Sequence, residues 1–208
     1  MVRVLIACEE SGVLRRAFAA LGHDAWSCDL MPARDGSPNH IQGDVRGVFD
    51  MGWDLMIAHP PCTRLCNSGV RWLASPPPSK TLKDMQRELG AGAALFANCW
   101  NAPIARVAIE NPIMHKYARA LMPADLPPPQ IVQPWHFGCE AFKATGLYTR
   151  GLTALVATHR LTPPRPGTDA HKAWSKVHRA SPGPNRARDR SETFPGIAAA
   201  IADQWSQL

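Results

Sequence analysis

The sequence predicts an α/β fold built on a mostly parallel sheet. Three observations carry this. Short apolar runs alternate with helix-forming stretches along the first half of the chain, which is the pattern of strand–helix–strand units. The runs are apolar at nearly every position, as strands covered on both faces are. The 20 prolines gather in the connections and spare the apolar runs, so they cost the sheet no ladder hydrogen bonds.

Residues 2–7, VRVLIA, read as the first strand. ESGVLRRAFAALGH follows as a helix: Ser11 is the expected N-cap, Val13, Leu14, Ala17, Phe18 and Leu21 fall at helical spacing, and Gly22 ends it. DAWSCDL is a second strand ending at Asp29. A loop with Pro32, Gly36 and Pro38 leads to HIQGDV, a short strand or turn. WDLMIAH is a strand cut off by Pro60 and Pro61. Beyond the proline-rich loop at 76–78, Lys83 to Trp100 reads as a helix, and ARVAIEN is a strand stopped by Pro112. PPPQIVQPWHFG follows, KATGLYTRG looks like another strand, and GIAAAIADQWSQ is a closing helix after Pro195.

At 208 residues and 45% hydrophobic content the chain suits one domain over 1–208 with a proper core. No apolar run approaches the ~20 residues that cross a bilayer, and the N-terminal stretch lacks a secretory leader's long apolar region. A cytoplasmic protein with no membrane partner is expected. Its six cysteines are scattered and expected to be free thiols rather than a disulfide framework.

Between His159 and Arg190 stand Arg160, Arg165, Lys172, Lys176, Arg179, Arg186, Arg188 and Arg190 against Asp169 and Asp189, so this stretch carries the whole net charge of +6. Such a segment suits a nucleic acid; a solvated surface loop is the plainer alternative.

Ligands of open α/β sheets gather beyond the carboxyl ends of the strands. Here those ends carry Cys8-Glu9-Glu10, Asp29, Asp44, His59-Pro60-Pro61-Cys62 and Glu110-Asn111-Pro112. Free cysteines are usually fillers, and Cys62 with Cys66 forms a C-x3-C spacing without the further pair a zinc site needs, so no metal is expected. A carboxylate closing so apolar a strand as the one ending at Glu110 is costly unless it has a task or a partner.

HPPC after one strand and IENP after the next resemble the cytosine-C5 DNA methyltransferase family, with its Pro-Cys nucleophile and Glu-Asn pair. Nearly the whole chain resembles the short bacteriophage and prophage members. That resemblance implies a Rossmann-like, class I S-adenosylmethionine-dependent methyltransferase fold with a minimal target-recognition insert at 151–190. It implies a monomer in the cytoplasm of a bacterial host, with DNA as partner and S-adenosylmethionine, or a modified form of it, as donor. The catalytic residues would be Cys62, Glu110 and Asn111. The donor would lie on Ala7, Cys8, Glu9, Glu10, Ser11 and Gly12, with Asp29 and Leu30 at the ribose, Asp44 and Val45 at the adenine, and His59 and Pro60 beside them. DNA would meet Pro61, Arg64, Asn67, Ser68, Arg71, Lys143, Arg179, Arg186, Arg188 and Arg190. Trp72, Trp135 and Trp174 either stack on unpaired bases or pack internally.

The chemistry asks for these groups. Thiolate addition at C6 turns the cytosine ring into an enamine that reacts at C5, which calls for a cysteine of lowered pKa. A carboxyl group beside N3, protonated or sharing a proton, neutralises the developing charge. Methyltransferases acting on amino groups instead follow Pro-Pro with an aromatic residue; here that place is Cys62. Two features depart from the family: ACEESG holds one glycine, Gly12, where several are usual, and the recognition segment is short. They keep open a lax target sequence, a free pyrimidine nucleotide as substrate, a carboxylated donor, and a non-catalytic DNA-binding scaffold.

Overall fold

The computed structural model describes residues 1–179, 183, 190 and 192–207. Seven strands form one sheet: β1 (Arg3–Ala7), β2 (Asp24–Asp29), β3 (His40–Gln42), β4 (Leu55–Ala58), β5 (Arg106–Asn111), β6 (Gln130–Val132) and β7 (Thr145–Arg150). Their order is β3-β2-β1-β4-β5-β7-β6. All pairings are parallel except those of β7, which runs antiparallel to both β5 and β6. The Rossmann-like α/β architecture expected from the sequence is therefore present.

Register sets the functional edge. Ala7 pairs with Cys28 on one side and Ala58 on the other, and Ala58 pairs with Ile109. The next residue of each strand or strand end (Asp29, Cys8, His59, Glu110) thus falls on a single rim at the carboxyl ends.

Helices among the described residues are α1 (Val13–Ala20), α2 (Asn67–Val70), α3 (Leu82–Trp100), α4 (Lys116–Arg119), α5 (Asp169–Trp174), α6 (Lys176–Arg179) and α7 (Pro195–Trp205). Alternate side chains of each strand feed two cores. Leu5, Met56, Val107 and Ile109 pack with Leu89, Phe96 and Trp100 of α3. Ile6, Ile57, Ala108 and Leu147 pack with Leu14 and Phe18 of α1 and Ile197, Ile201 and Trp205 of α7. Full burial of each large aliphatic side chain contributes about 1.5–3 kcal/mol, so these two layers hold the rim in place. Residues 151–168 follow an irregular path before the short α5 and α6, which the sequence reading left as loop. Arg186 and Arg188 lie outside the described residues. No helix among the described residues is long and apolar enough to cross a membrane.

The start of α1 differs from the expected Ser11 cap. Gly12 is the N-cap, at φ +69°, a left-handed conformation that favours glycine. The capping group is the carboxylate of Glu9, only 5% exposed, which accepts from the N–H of Leu14 at 2.9 Å, the N–H of Arg15 at 3.4 Å and the Ser11 hydroxyl at 3.0 Å. Anionic acceptors are favoured at helix N-termini. The loop after β2 folds back onto this start, where Asp35 accepts from both Arg15 and Arg16 at 2.5 Å. Replacing Glu9 with Ala strips buried donors of their acceptor and is expected to lower stability by about 1–3 kcal/mol. Urea unfolding measures this, and an unchanged midpoint would remove the cap from the account.

Candidate active site

β4 is prolonged by the N–H of His59 donating to the Ala7 carbonyl at 2.9 Å. After Pro60 and Pro61 the chain closes one tight turn: the N–H groups of Leu65 and Cys66 both donate to the Cys62 carbonyl, at 2.9 and 3.0 Å. That turn sets Cys62 and Cys66 one helical turn apart, where each thiol acts on the other's proton. Cys66 Sγ also lies 3.1 Å from the Ser68 hydroxyl.

The turn is held from several directions. Leu65 is fully buried in the core on the α3 side. Arg64 Nε donates to Glu88 of α3 at 2.7 Å. The buried His115 accepts the Ala118 N–H on Nδ1, so its Nε2–H is the donor to the Arg64 carbonyl at 2.7 Å, and its own N–H donates to the Leu65 carbonyl at 3.0 Å. α2 then packs so closely on the turn that a Cβ on Gly69 would lie 2.2 Å from the Thr63 carbonyl oxygen.

Glu110 stands one strand over. Its Oε2 is 3.3 Å from His59 Nδ1, and these side chains are 17% and 12% exposed respectively. Lys143, whose Nζ donates to the Glu192 carbonyl at 3.3 Å, and Thr145 face the same carboxylate. A gap of about 10 Å³ lies between these groups and α7, room for about one water. His59 Nε2 and both polar atoms of the Asn111 side chain are buried with no partner. Asn111 is 0% exposed, and an unsatisfied buried amide costs about 1–3 kcal/mol, so these atoms mark where a polar ligand gains most.

The electrostatics correct one expectation. The lowered thiol is Cys66, brought to about 5 mainly by the hydrogen bond from Cys62, with the Ser68 hydroxyl and the N–H groups of Ser68 and Gly69 helping against burial. Cys62 is pushed up by that same bond, by burial, and by the negative charges of Cys66 and Glu110, which Lys143 partly offsets. The couple gives up one proton easily and keeps the other on Cys62. Burial pushes Glu110 up, yet the His59 hydrogen bond, the Lys143 charge and the Thr145 hydroxyl outweigh it and hold the carboxyl below its ordinary value. Glu110 therefore rests as a carboxylate against His59.

On the β1–β2 side, Cys8 takes φ +58°, a conformation rare for a residue with a side chain. Cys28 and Cys99 are buried nearby and raised by burial to about 11 and about 12. Asp29 Oδ1 accepts the Met31 N–H at 2.9 Å. Next to it Leu30 and Met31 are 70% and 57% exposed, an apolar step with a carboxylate at its edge. That pairing fits a nucleoside, whose hydroxyls suit the acid and whose flat base suits the apolar surface. Other acids assigned to the donor already have partners. Glu9 caps α1. Glu10 pairs with Arg34 at 2.7 Å, and Arg34 also reaches Glu192 at 2.9 Å. Asp44 pairs with Arg46, whose hydrogen bonds draw it down to about 2. Ala7, Val45 and Pro60 are buried and contribute backbone only.

Among the residues assigned to DNA, Arg64 is spent on Glu88, whereas Pro61, Asn67, Ser68 and Arg71 are exposed around the Cys62 turn. The Arg71 guanidinium lies 4.4 Å over the Trp72 ring. Trp135 carries Arg160 at 5.5 Å, while Trp174 is buried against Phe142. Arg179 is exposed, and Arg190 lines a cavity of about 420 Å³ with Lys176, Glu192 and Phe194. Among the described residues no three His, Cys, Asp or Glu side chains gather to hold a metal ion. The roles of His115 and Leu65 escaped sequence reading; the C-x3-C spacing was the available signal for the thiol couple.

The sequence matches no protein-family model and no protein of curated function. Solved structures similar to it include a chain encoded within an Escherichia coli prophage, described provisionally as a DNA modification methyltransferase, at 18% identity and TM-score 0.49 over 78% of this chain and 52% of that one. Another is the Entamoeba histolytica methyltransferase EhMeth, at 13% identity and TM-score 0.48 over 79% and 58%. The chain spans little more than half the length of either. Similarity at this level assigns it no activity.

The thiol couple makes a direct prediction. At pH 6, above the lowered Cys66 value and below the ordinary thiol value of about 8.5, Cys66 is a thiolate and is expected to be alkylated by iodoacetamide well before Cys62. Cys62→Ala removes the donor and should slow Cys66 labelling at that pH. Mass spectrometry of tryptic peptides 47–64 and 65–71 separates the two sites. Equal labelling of both, unchanged in the variant, would mean that no couple exists.

Proposed function

We propose that this chain is a cytosine-C5 methyltransferase acting on DNA, with an S-adenosylmethionine-type donor. The observation that carries the reading is that Cys62 and Glu110 stand at the carboxyl ends of adjacent parallel strands, where the Glu110 charge reaches the thiol and Lys143 offsets it. The unpartnered His59 Nε2 beside them offers a hydrogen bond to a polar ring.

In this reading the cytosine leaves its stack, at a cost of a few kcal/mol, and meets the turn at Cys62. The gap behind Glu110 holds only about one water and is too small for a base, so in this reading the base comes from the Cys62 side. Cys62 sulfur bonds to C6 as its proton passes to the Cys66 thiolate. N3 takes a proton from the His59–Glu110 pair, Glu110 being the group that touches the ring. Lys143 keeps the carboxylate charge balanced while that proton is away. When bound, the sulfonium donor supplies the methyl group, held by Asp29, by the apolar step at Leu30 and by backbone between Ala7 and Gly12. Water then takes the C5 proton as the C6–S bond breaks, N3 returns its proton to the His59–Glu110 pair, Cys62 takes its own back from Cys66, and the base is freed. Exposed Asn67, Ser68 and Arg71, with Arg179, Arg190 and the basic segment around them, serve the phosphates. So short a recognition segment reads few base pairs.

A second reading is favoured by one observation. Glu10 and Asp44 are paired with Arg34 and Arg46, as they would be in a DNA-binding scaffold that has given up its donor. Calorimetry with S-adenosylmethionine separates the readings, since the scaffold binds none.

The main test is mass spectrometry of nucleosides from DNA incubated with the protein and labelled donor, with dCMP in parallel. 5-Methylcytosine from DNA is expected. Cys62→Ala should abolish it while donor binding persists, and Glu110→Gln should lower kcat by about 10²–10⁴-fold. Full turnover by Cys62→Ala would remove the nucleophile from the scheme, and product from dCMP alone would move the substrate to free nucleotides.

A further inference from the structure

Two cysteines on one turn, both partly open to solvent, are a chemical unit in their own right. Cys62 and Cys66 are partly exposed, so a small oxidant reaches them. The turn closes through two bonds to the Cys62 carbonyl, which keeps the two Cα atoms within the span that a disulfide bridges, about 4.4–6.8 Å. Each thiol also acts on the other's proton. Cys8, Cys28 and Cys99 also lie near one another, but burial pushes all three thiols up, and nothing there holds a thiolate.

We infer that Cys62 and Cys66 form a reversible oxidation site, in which a hydroperoxide closes a disulfide across the turn. The Cys66 thiolate attacks the peroxide oxygen. The O–O bond breaks, hydroxide leaves and takes up a proton, and Cys66 becomes a sulfenic acid. Cys62 sulfur then attacks Cys66 sulfur, the S–O bond breaks, and the oxygen leaves as water with the Cys62 proton. Two thiols are oxidised by two electrons, and hydrogen peroxide is reduced to two waters. The lowered Cys66 supports the first step, because thiolates and not thiols react. The single turn that carries both cysteines supports the second, which outruns further oxidation when the resolving thiol is adjacent.

Closure would remove the sulfur proposed to attack cytosine, so oxidation would switch the site off. That consequence rests on the functional reading above; the disulfide itself does not. Arg64 lies between the two cysteines, and trypsin separates them into peptides 47–64 and 65–71, each holding one cysteine. The experiment treats the full-length protein with a slight excess of hydrogen peroxide, blocks free thiols with iodoacetamide and maps the digest without reduction. The expected result is peptides 47–64 and 65–71 joined, lighter by two hydrogens than their sum, and parted by dithiothreitol. In Cys66→Ser the linked pair should vanish, with peptide 47–64 carrying a free or overoxidised Cys62. Peptides recovered unlinked from the native protein, as intact thiols or as sulfinic acids, would overturn the inference. A linked pair in a protein that methylates nothing would keep the oxidation site and sink the functional reading, and the reverse outcome would do the opposite.

Discussion

The burial of Leu65 is the constraint on which the rest of the site depends. A single apolar side chain driven into the core beneath α3 anchors a turn whose outer positions are free to carry chemistry. His115 and Arg64 add directional bonds on either side of that anchor. The reactive sulfur thus gets its position from hydrophobic burial at the neighbouring residue, the same force that builds the sheet. Groups supported in this way are held more closely than groups on a free loop.

The second theme is charge held in small, closed sets. Cys66 draws on Cys62, Glu110 on His59 and Lys143, Glu10 on Arg34, Asp35 on Arg15 and Arg16. Each of these anions has a donor within reach, so its charge is offset locally. A ligand entering here exchanges partners and does not bring first neutralisation. The exceptions are the unpartnered atoms of Asn111 and His59, where a ligand meets no competitor.

Much of the fold was legible in the sequence. Strands covered on both faces leave long apolar runs, and prolines and acids mark where they stop, so β1, β2, β4, β5 and β7 could be read directly. The helices α2, α4, α5 and α6 were not legible, because four to six residues are too few for a 3.6-residue period to emerge. At the site, Cys62 and Glu110 stood out as reactive groups closing apolar runs. What escaped was set by distant chain returning to the edge. Glu9 looked like a ligand residue, and its carboxylate also caps the next helix. Arg34 meets Glu192 across 158 positions of sequence, a pairing that no local pattern encodes. The sequence asks for a lowered thiol at the nucleophile, while the donors that lower one gather on Cys66, and spacing alone does not say which of two neighbours receives them.

The pairing register described for β1, β4 and β5 has a further effect on what change the chain tolerates. Side chains of a strand point alternately to the two sides of the sheet, so Glu110 and Asn111 address opposite layers although they are neighbours. Deleting or inserting one residue within β5 would exchange them, sending the carboxylate under α3 and the amide toward α7. Length variation must therefore accumulate in the connections, while the strands themselves can change only by substitution.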